Sequence, residues 1–127
     1  MTIIGFIGFF VLLGLVVFQF MLIVGAPLGH FAWSGQHKVL PNKLRIASSF
    51  SILLYILFSL FLISKAGIIE IISDSAILSV GMWTFTIYFM LGVVLNFISR
   101  SRKERLLMTP IAAILAITFL LVTLDIG

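Results

Sequence analysis

The sequence predicts an all-α fold: a four-transmembrane-helix bundle with an ordered or re-entrant loop between helices one and two. Three observations carry that reading. The 127 residues are 62% hydrophobic and only 9% charged, whereas soluble domains carry about 25% charged residues. Such an excess of hydrocarbon must face lipid. Four apolar runs each reach the roughly 20 residues that a helix needs to cross a hydrocarbon layer of about 30 Å. The runs are continuous rather than alternating, which suits helices and excludes the strands of a barrel. The length allows one domain, residues 1–127.

Helix one is expected over about 2–24. It has no basic start, its apolar run exceeds the roughly 7–15 residues of a signal-peptide core, and no Ala-x-Ala site follows, so it reads as a retained span. Helix two is expected over 44–64, after the turn signal Pro41-Asn42. Helix three, 76–99, follows the capping residues Ser73, Asp74 and Ser75. Helix four, 102–126, has two candidate starts. Ser101 through Glu104 fits a capping box, which puts Pro110 inside the helix; alternatively Thr109 caps and Pro110 is the first helical residue. The apolar run Gly67–Ile72 is expected to lie in the membrane interface.

Charge sets the orientation. Lys38, Lys43 and Arg45 lie in loop one, and Arg100, Arg102, Lys103 and Arg105 in loop three. Four spans put these loops on one side, so seven of the eight basic residues lie together. The positive-inside rule assigns that side to the cytoplasm and both termini to the extracytoplasmic side. Topology thereby explains the basic residues, and nucleic acid is not an expected partner. Membrane lipids are, with a second copy or another membrane protein as a further partner.

Cysteine is absent, which excludes disulfides, thiolate metal sites and thiol relay chemistry. The carboxylates Glu70, Asp74, Glu104 and Asp125 stand at or beyond helix ends, which disfavours a carboxylate-coupled antiporter. No cofactor, metal or catalytic residue is expected.

Inside the spans, small and weakly polar residues form seams: Gly5, Gly8 and Gln19; Ser48, Ser51, Tyr55 and Ser59; Gly81, Tyr88, Gly92, Asn96 and Ser99; Thr109, Ala112, Ala116 and Thr123. Gln19 and Asn96 lie at matching depth near the cytoplasmic end. They either bond to each other, if helices one and three meet, or line a polar recess.

The segment Gly25–Pro41 holds both histidines, one of the two tryptophans and two of the three prolines. Pro27 ends helix one, Gly25 and Gly29 permit tight turns, and Phe31 and Trp33 suit the interface. The segment is either a staple between helices one and two, or a ligand-lined mouth using His30, Trp33, Gln36 and His37 with Gln19 and Asn96. Pro27, Pro41, Arg45, Glu104 and Arg105 are expected to clamp the loops structurally. Glu104 is the acid among the cytoplasmic bases, which makes a salt bridge to His30, His37, Lys38 or Arg45 the expected clamp.

Two blocks carry a family resemblance. The first is Gly25-Ala26-Pro27, Gly29 through His37, Leu40-Pro41 and Leu44 through Ser48. The second is Asn96, Ser99, Ser101, Glu104-Arg105 and Pro110. Together they resemble a group of small, uncharacterised four-helix bacterial integral membrane proteins with Gly-Ala-Pro, Ala-Trp-Gly-Gly and Leu-Pro elements after helix one, and Ser-x-Ser-x-x-Glu-Arg before helix four. Ser34 stands where that group has a second glycine. The resemblance implies a bacterial inner-membrane protein and brings no mechanism with it. The leading expectation is a non-enzymatic membrane module that binds a small or lipidic ligand, or a partner, at its cytoplasmic end. A small transporter or channel, as a single copy or a homodimer, and a lipid- or quinone-modifying enzyme using His30 or His37 are the alternatives.

Overall fold

The computed structural model describes residues 1–126. Four helices account for most of them: α1 (Thr2–Ile23), α2 (Asn42–Lys65), α3 (Ser75–Phe97) and α4 (Arg102–Thr123). Each has 22 to 24 residues, about 33–36 Å of helix, and each is apolar enough to cross a membrane. Among the described residues there are no strands. Loop one adds two short 3₁₀ turns, Gly29–Phe31 and Trp33–Gly35, and is ordered.

Helix ends follow from the scarcity of water near hydrocarbon, which forces the terminal carbonyls to find donors. After α1, Gly25 takes φ +95° and donates its N–H to Leu22 O, while Ala26 N–H reaches Met21 O. This Schellman pattern recurs after α2, around Gly67 at φ +78°. It recurs again after α4, where Asp125, not glycine, adopts φ +58°. The Asp125 carboxylate lies 3.2 Å from Lys65 Nζ, joining the ends of α2 and α4.

Helix starts also follow the local chemistry. Asp74 accepts the N–H groups of Ala76 and Ile77 and caps α3. The Pro41 carbonyl accepts Leu44 and Arg45 N–H, so α2 begins at Asn42, two residues ahead of the sequence expectation. Ser101 Oγ accepts Glu104 N–H and starts α4, which places Pro110 inside the helix. The reciprocal half of the capping box is not made: Ser101 N–H goes to Ser99 Oγ instead.

The helices form a ring in which α1 packs on α2 and α4, and α3 on α4 and α2. Hydrophobicity does not drive helices together in lipid, so close approach and side-chain hydrogen bonds do. A Cβ on Gly8 would lie 2.7 Å from both Leu62 and Thr118, and one on Gly5 would lie 2.6 Å from the Ala66 Cβ. These glycines let α1 lie tightly on α2 and α4. Thr86 and Thr123 join α3 to α4 at 3.3 Å. The main core centres on Phe58, whose ring meets Phe85 at 4.6 Å and Phe89 at 5.2 Å; Phe89 in turn meets Phe119 at 4.9 Å. A second cluster, Leu22, Ala32 and Leu40 with Phe18, Leu28 and Leu44 around it, seats loop one against the ends of α1 and α2.

Gly29 is where loop one folds back on itself. Its N–H donates to Lys38 O at 2.8 Å, and a Cβ there would overlap the His37 carbonyl. Gly29→Ala is therefore expected to cost about 2–3 kcal/mol, measured as a lowered melting temperature in detergent; an unchanged melting temperature would contradict this packing.

Candidate functional site

Three consecutive residues of loop one take left-handed backbone conformations: Trp33 at φ +50°, Ser34 at +62° and Gly35 at +69°. For a residue with a side chain this costs about 1–2 kcal/mol. The turn persists because its surroundings fix it. Gly35 N–H donates to Ala32 O at 2.8 Å, and Trp33 Nε1–H donates to Ser48 Oγ at 3.1 Å, tying the turn to α2. His30 Nδ1 lies 2.9 Å from the Gly35 carbonyl. A carbonyl only accepts, so Nδ1 carries the proton of this hydrogen bond.

The left-handed turn brings Gly35 against Ser101, at the start of α4, where a Cβ on Gly35 would collide with the serine side chain. The Ser101 hydroxyl donates to the His30 carbonyl. Lys103 Nζ sits 5.7 Å from the centroid of the Phe31 ring, a cation–π contact. Loops one and three are thus joined at one end of the bundle.

Between them lies a cleft of about 450 Å³. His30, Ser34, Gly35 and Gln36 line one wall, and Arg100, Ser101, Arg102 and Lys103 the other. The lining carries three cationic side chains and no carboxylate. It also contains the N-terminus of α4, where the first N–H groups have no helical partner and the helix dipole presents positive charge. Hydroxyl, amide, imidazole and guanidinium groups around such a space suit an anion with several acceptor oxygens.

The structure gathers only part of the expected site. His30 and Gln36 line the cleft. Trp33 is spent on Ser48, and His37 is an exposed residue whose carbonyl faces Gly29. The expected Gln19–Asn96 pair is not made, because α1 and α3 do not adjoin in the ring. Asn96 Nδ2 instead donates to Gly92 O on its own helix, at 2.8 Å. Gln19 is 7% exposed, faces Tyr55 on α2, and leaves its Oε1 unpartnered.

The clamp also differs from the expectation. Glu104 forms no ion pair among the described residues. Capping by Ser101 fixes it on the inward face of α4, where it is 9% exposed, so backbone and hydroxyl contacts close the loops in its place. Arg45 Nε–H donates to Leu40 O at 2.8 Å, and its guanidinium lies against Gly25. Arg105 Nη1 donates to Ser99 O at 3.1 Å. Pro41 caps α2, and Pro27 lies exposed beyond the end of α1.

Sequence reasoning missed Arg100, Ser101, Arg102 and Lys103 as site residues, because topology and capping already accounted for them. Among the described residues no three of His, Cys, Asp and Glu converge. Comparison of the chain with family models, with curated proteins and with solved structures finds no match.

Ser34 occupies a left-handed position that glycine adopts without penalty. Ser34→Gly is expected to stabilise the protein by about 1 kcal/mol, read as a higher melting temperature in detergent. A fall would mean that the serine side chain holds the turn.

Proposed function

We propose that the protein is a multi-pass module of the bacterial inner membrane that binds the phosphate group of a membrane lipid at its cytoplasmic face. Both termini are then extracytoplasmic. One observation carries the reading: Arg100, Arg102 and Lys103 share a cleft with His30 and the start of α4, and no acid lines it. Seven of the eight basic residues lie in the two loops that meet around this cleft or in the first turns of α2 and α4 that follow them, and such an excess favours the cytoplasmic side. That leaflet surface carries a negative potential from anionic lipid headgroups, to which clustered Lys and Arg are each attracted by about 1 kcal/mol. The phosphate oxygens would accept from the guanidinium groups of Arg100 and Arg102, from Lys103 Nζ and from the first N–H groups of α4.

Passage through a single copy is less well supported. The Phe58 cluster fills the interior of one half, and Leu22, Ala32 and Leu40 pack beneath loop one in the other.

Replacing Arg100, Arg102 and Lys103 together by Gln is expected to weaken binding of short-chain phosphatidylglycerol by about tenfold or more, each lost charge contact being worth about 1 kcal/mol. Native mass spectrometry of the detergent-solubilised protein at low salt reads this directly. Lys65→Gln, at the opposite end of the bundle, is expected to leave binding unchanged. Equal affinity of the triple variant and the unaltered protein would refute the proposal.

A further inference from the structure

Phosphate binding uses one wall of the cleft and leaves the other idle. Arg100, Arg102 and Lys103 line the α4 side, and His30, Ser34, Gly35 and Gln36 line the loop-one side. The two walls differ in what they offer a ligand. Guanidinium and ammonium groups only donate hydrogen bonds, which suits phosphate oxygens that only accept. The loop-one wall adds side-chain acceptors, the Ser34 hydroxyl and the Gln36 amide oxygen. Both residues are exposed, and neither side chain makes a hydrogen bond among the described residues. Ser34 carries a second observation. Of the three consecutive left-handed residues, Trp33 spends its side chain on Ser48 and Gly35 has none. Ser34, at φ +62°, holds a hydroxyl on a backbone conformation that only glycine adopts without penalty, and the fold makes no use of that hydroxyl. Strained residues of this kind gather where ligands are held. A group that meets these acceptors must donate. Three cations and no carboxylate line the cleft, so an ammonium on the ligand is repelled and a neutral donor is favoured.

We infer that the site takes a phosphate diester whose headgroup carries hydroxyls, the chemistry of phosphatidylglycerol. The inference rests on the phosphate-binding reading of the cleft. The phosphate meets Arg100, Arg102 and Lys103, while the headgroup hydroxyls meet Ser34 and Gln36 on the opposite wall. A hydroxyl both donates and accepts, as do the serine hydroxyl and the glutamine amide, so the headgroup and the loop-one wall match in kind. The cleft, at about 450 Å³, is in the size range of small-ligand pockets and has room for a phosphate with a glycerol beyond it.

The test compares short-chain phosphatidylglycerol with phosphatidylpropanol, which keeps the diester, the charge and the three-carbon headgroup but lacks the hydroxyls. Native mass spectrometry at low salt, in one detergent, reads both lipids on the full-length protein and on the double variant Ser34→Gly, Gln36→Ala. The unaltered protein is expected to prefer phosphatidylglycerol by about tenfold, the worth of one or two hydrogen bonds. The double variant is expected to bind the two lipids equally. Its folding is checked by thermal shift, and the comparison on the unaltered protein decides the matter even where the variant folds poorly. Equal binding by the unaltered protein, or a preference that survives in the double variant, overturns the hydroxyl assignment and leaves the phosphate reading standing. Phosphatidylethanolamine bound as tightly as phosphatidylglycerol also overturns it. Binding of neither phosphatidylglycerol nor phosphatidylpropanol overturns both readings. Soluble glycerophosphoglycerol separates the two sources of this headgroup: weaker binding than the lipid supports a membrane-anchored ligand, and binding as tight as the lipid's overturns the lipid assignment.

Discussion

Water does not enter the hydrocarbon layer, so a peptide group that leaves its helix there must find another partner. Much of this molecule's local structure answers that demand. Gly25, Gly67 and Asp125 turn left-handed to return their N–H groups to the last carbonyls of α1, α2 and α4. Asp74 accepts the N–H groups of Ala76 and Ile77 at the start of α3, and Ser101 that of Glu104 at the start of α4. Ser64 Oγ accepts from Ile71 and Ile72, holding loop two against the end of α2. Loop one is the most demanding case, since it connects two helices through 18 residues, 24–41. It meets the demand by folding on itself: Gly29 pairs with Lys38, Gly35 with Ala32, and the His30 ring with Gly35.

This self-satisfied loop is what creates the site. Because Trp33, Ser34 and Gly35 turn left-handed, the glycine comes against Ser101 and the hydroxyl of Ser101 reaches His30. Like charges are thereby concentrated: Arg100, Arg102 and Lys103 gather at a helix end whose dipole is already positive. The apolar seat of Leu22, Ala32 and Leu40 and the contact of Lys103 with Phe31 hold the assembly against that repulsion. On the proposed reading, a phosphate from the surrounding lipid would relieve it. On this view the fold stores an electrostatic cost that its ligand would remove.

The four spans were legible because continuous apolar runs of membrane length have few alternatives, and their ends came within a few residues because Asp74, Ser101 and Pro41 signal helix starts locally. Asp125 was not legible as a helix terminator, since its left-handed conformation follows no glycine signal. Nor was the ring order of the helices, which separates Gln19 from Asn96. Matching depth says nothing about which corner of a bundle a helix occupies. Of the residues lining the cleft, the sequence pointed to His30 and Gln36. Arg100, Arg102 and Lys103 were not singled out because they already had an explanation as topology signals, and because the left-handed turn that carries loop one to Ser101 lies on Trp33 and Ser34 as well as on a glycine.

The central claim is that the cations at the start of α4 hold lipid phosphorus. Solid-state NMR in bilayers reads this as nitrogen–phosphorus dipolar dephasing on ¹⁵N-arginine protein, resolved by single Arg→Lys variants. Strong dephasing at Arg100 and Arg102, and little at Arg45, whose Nε–H is committed to Leu40 O, is the predicted result. Dephasing that is absent, or equal at Arg45, Arg100 and Arg102, would contradict the account.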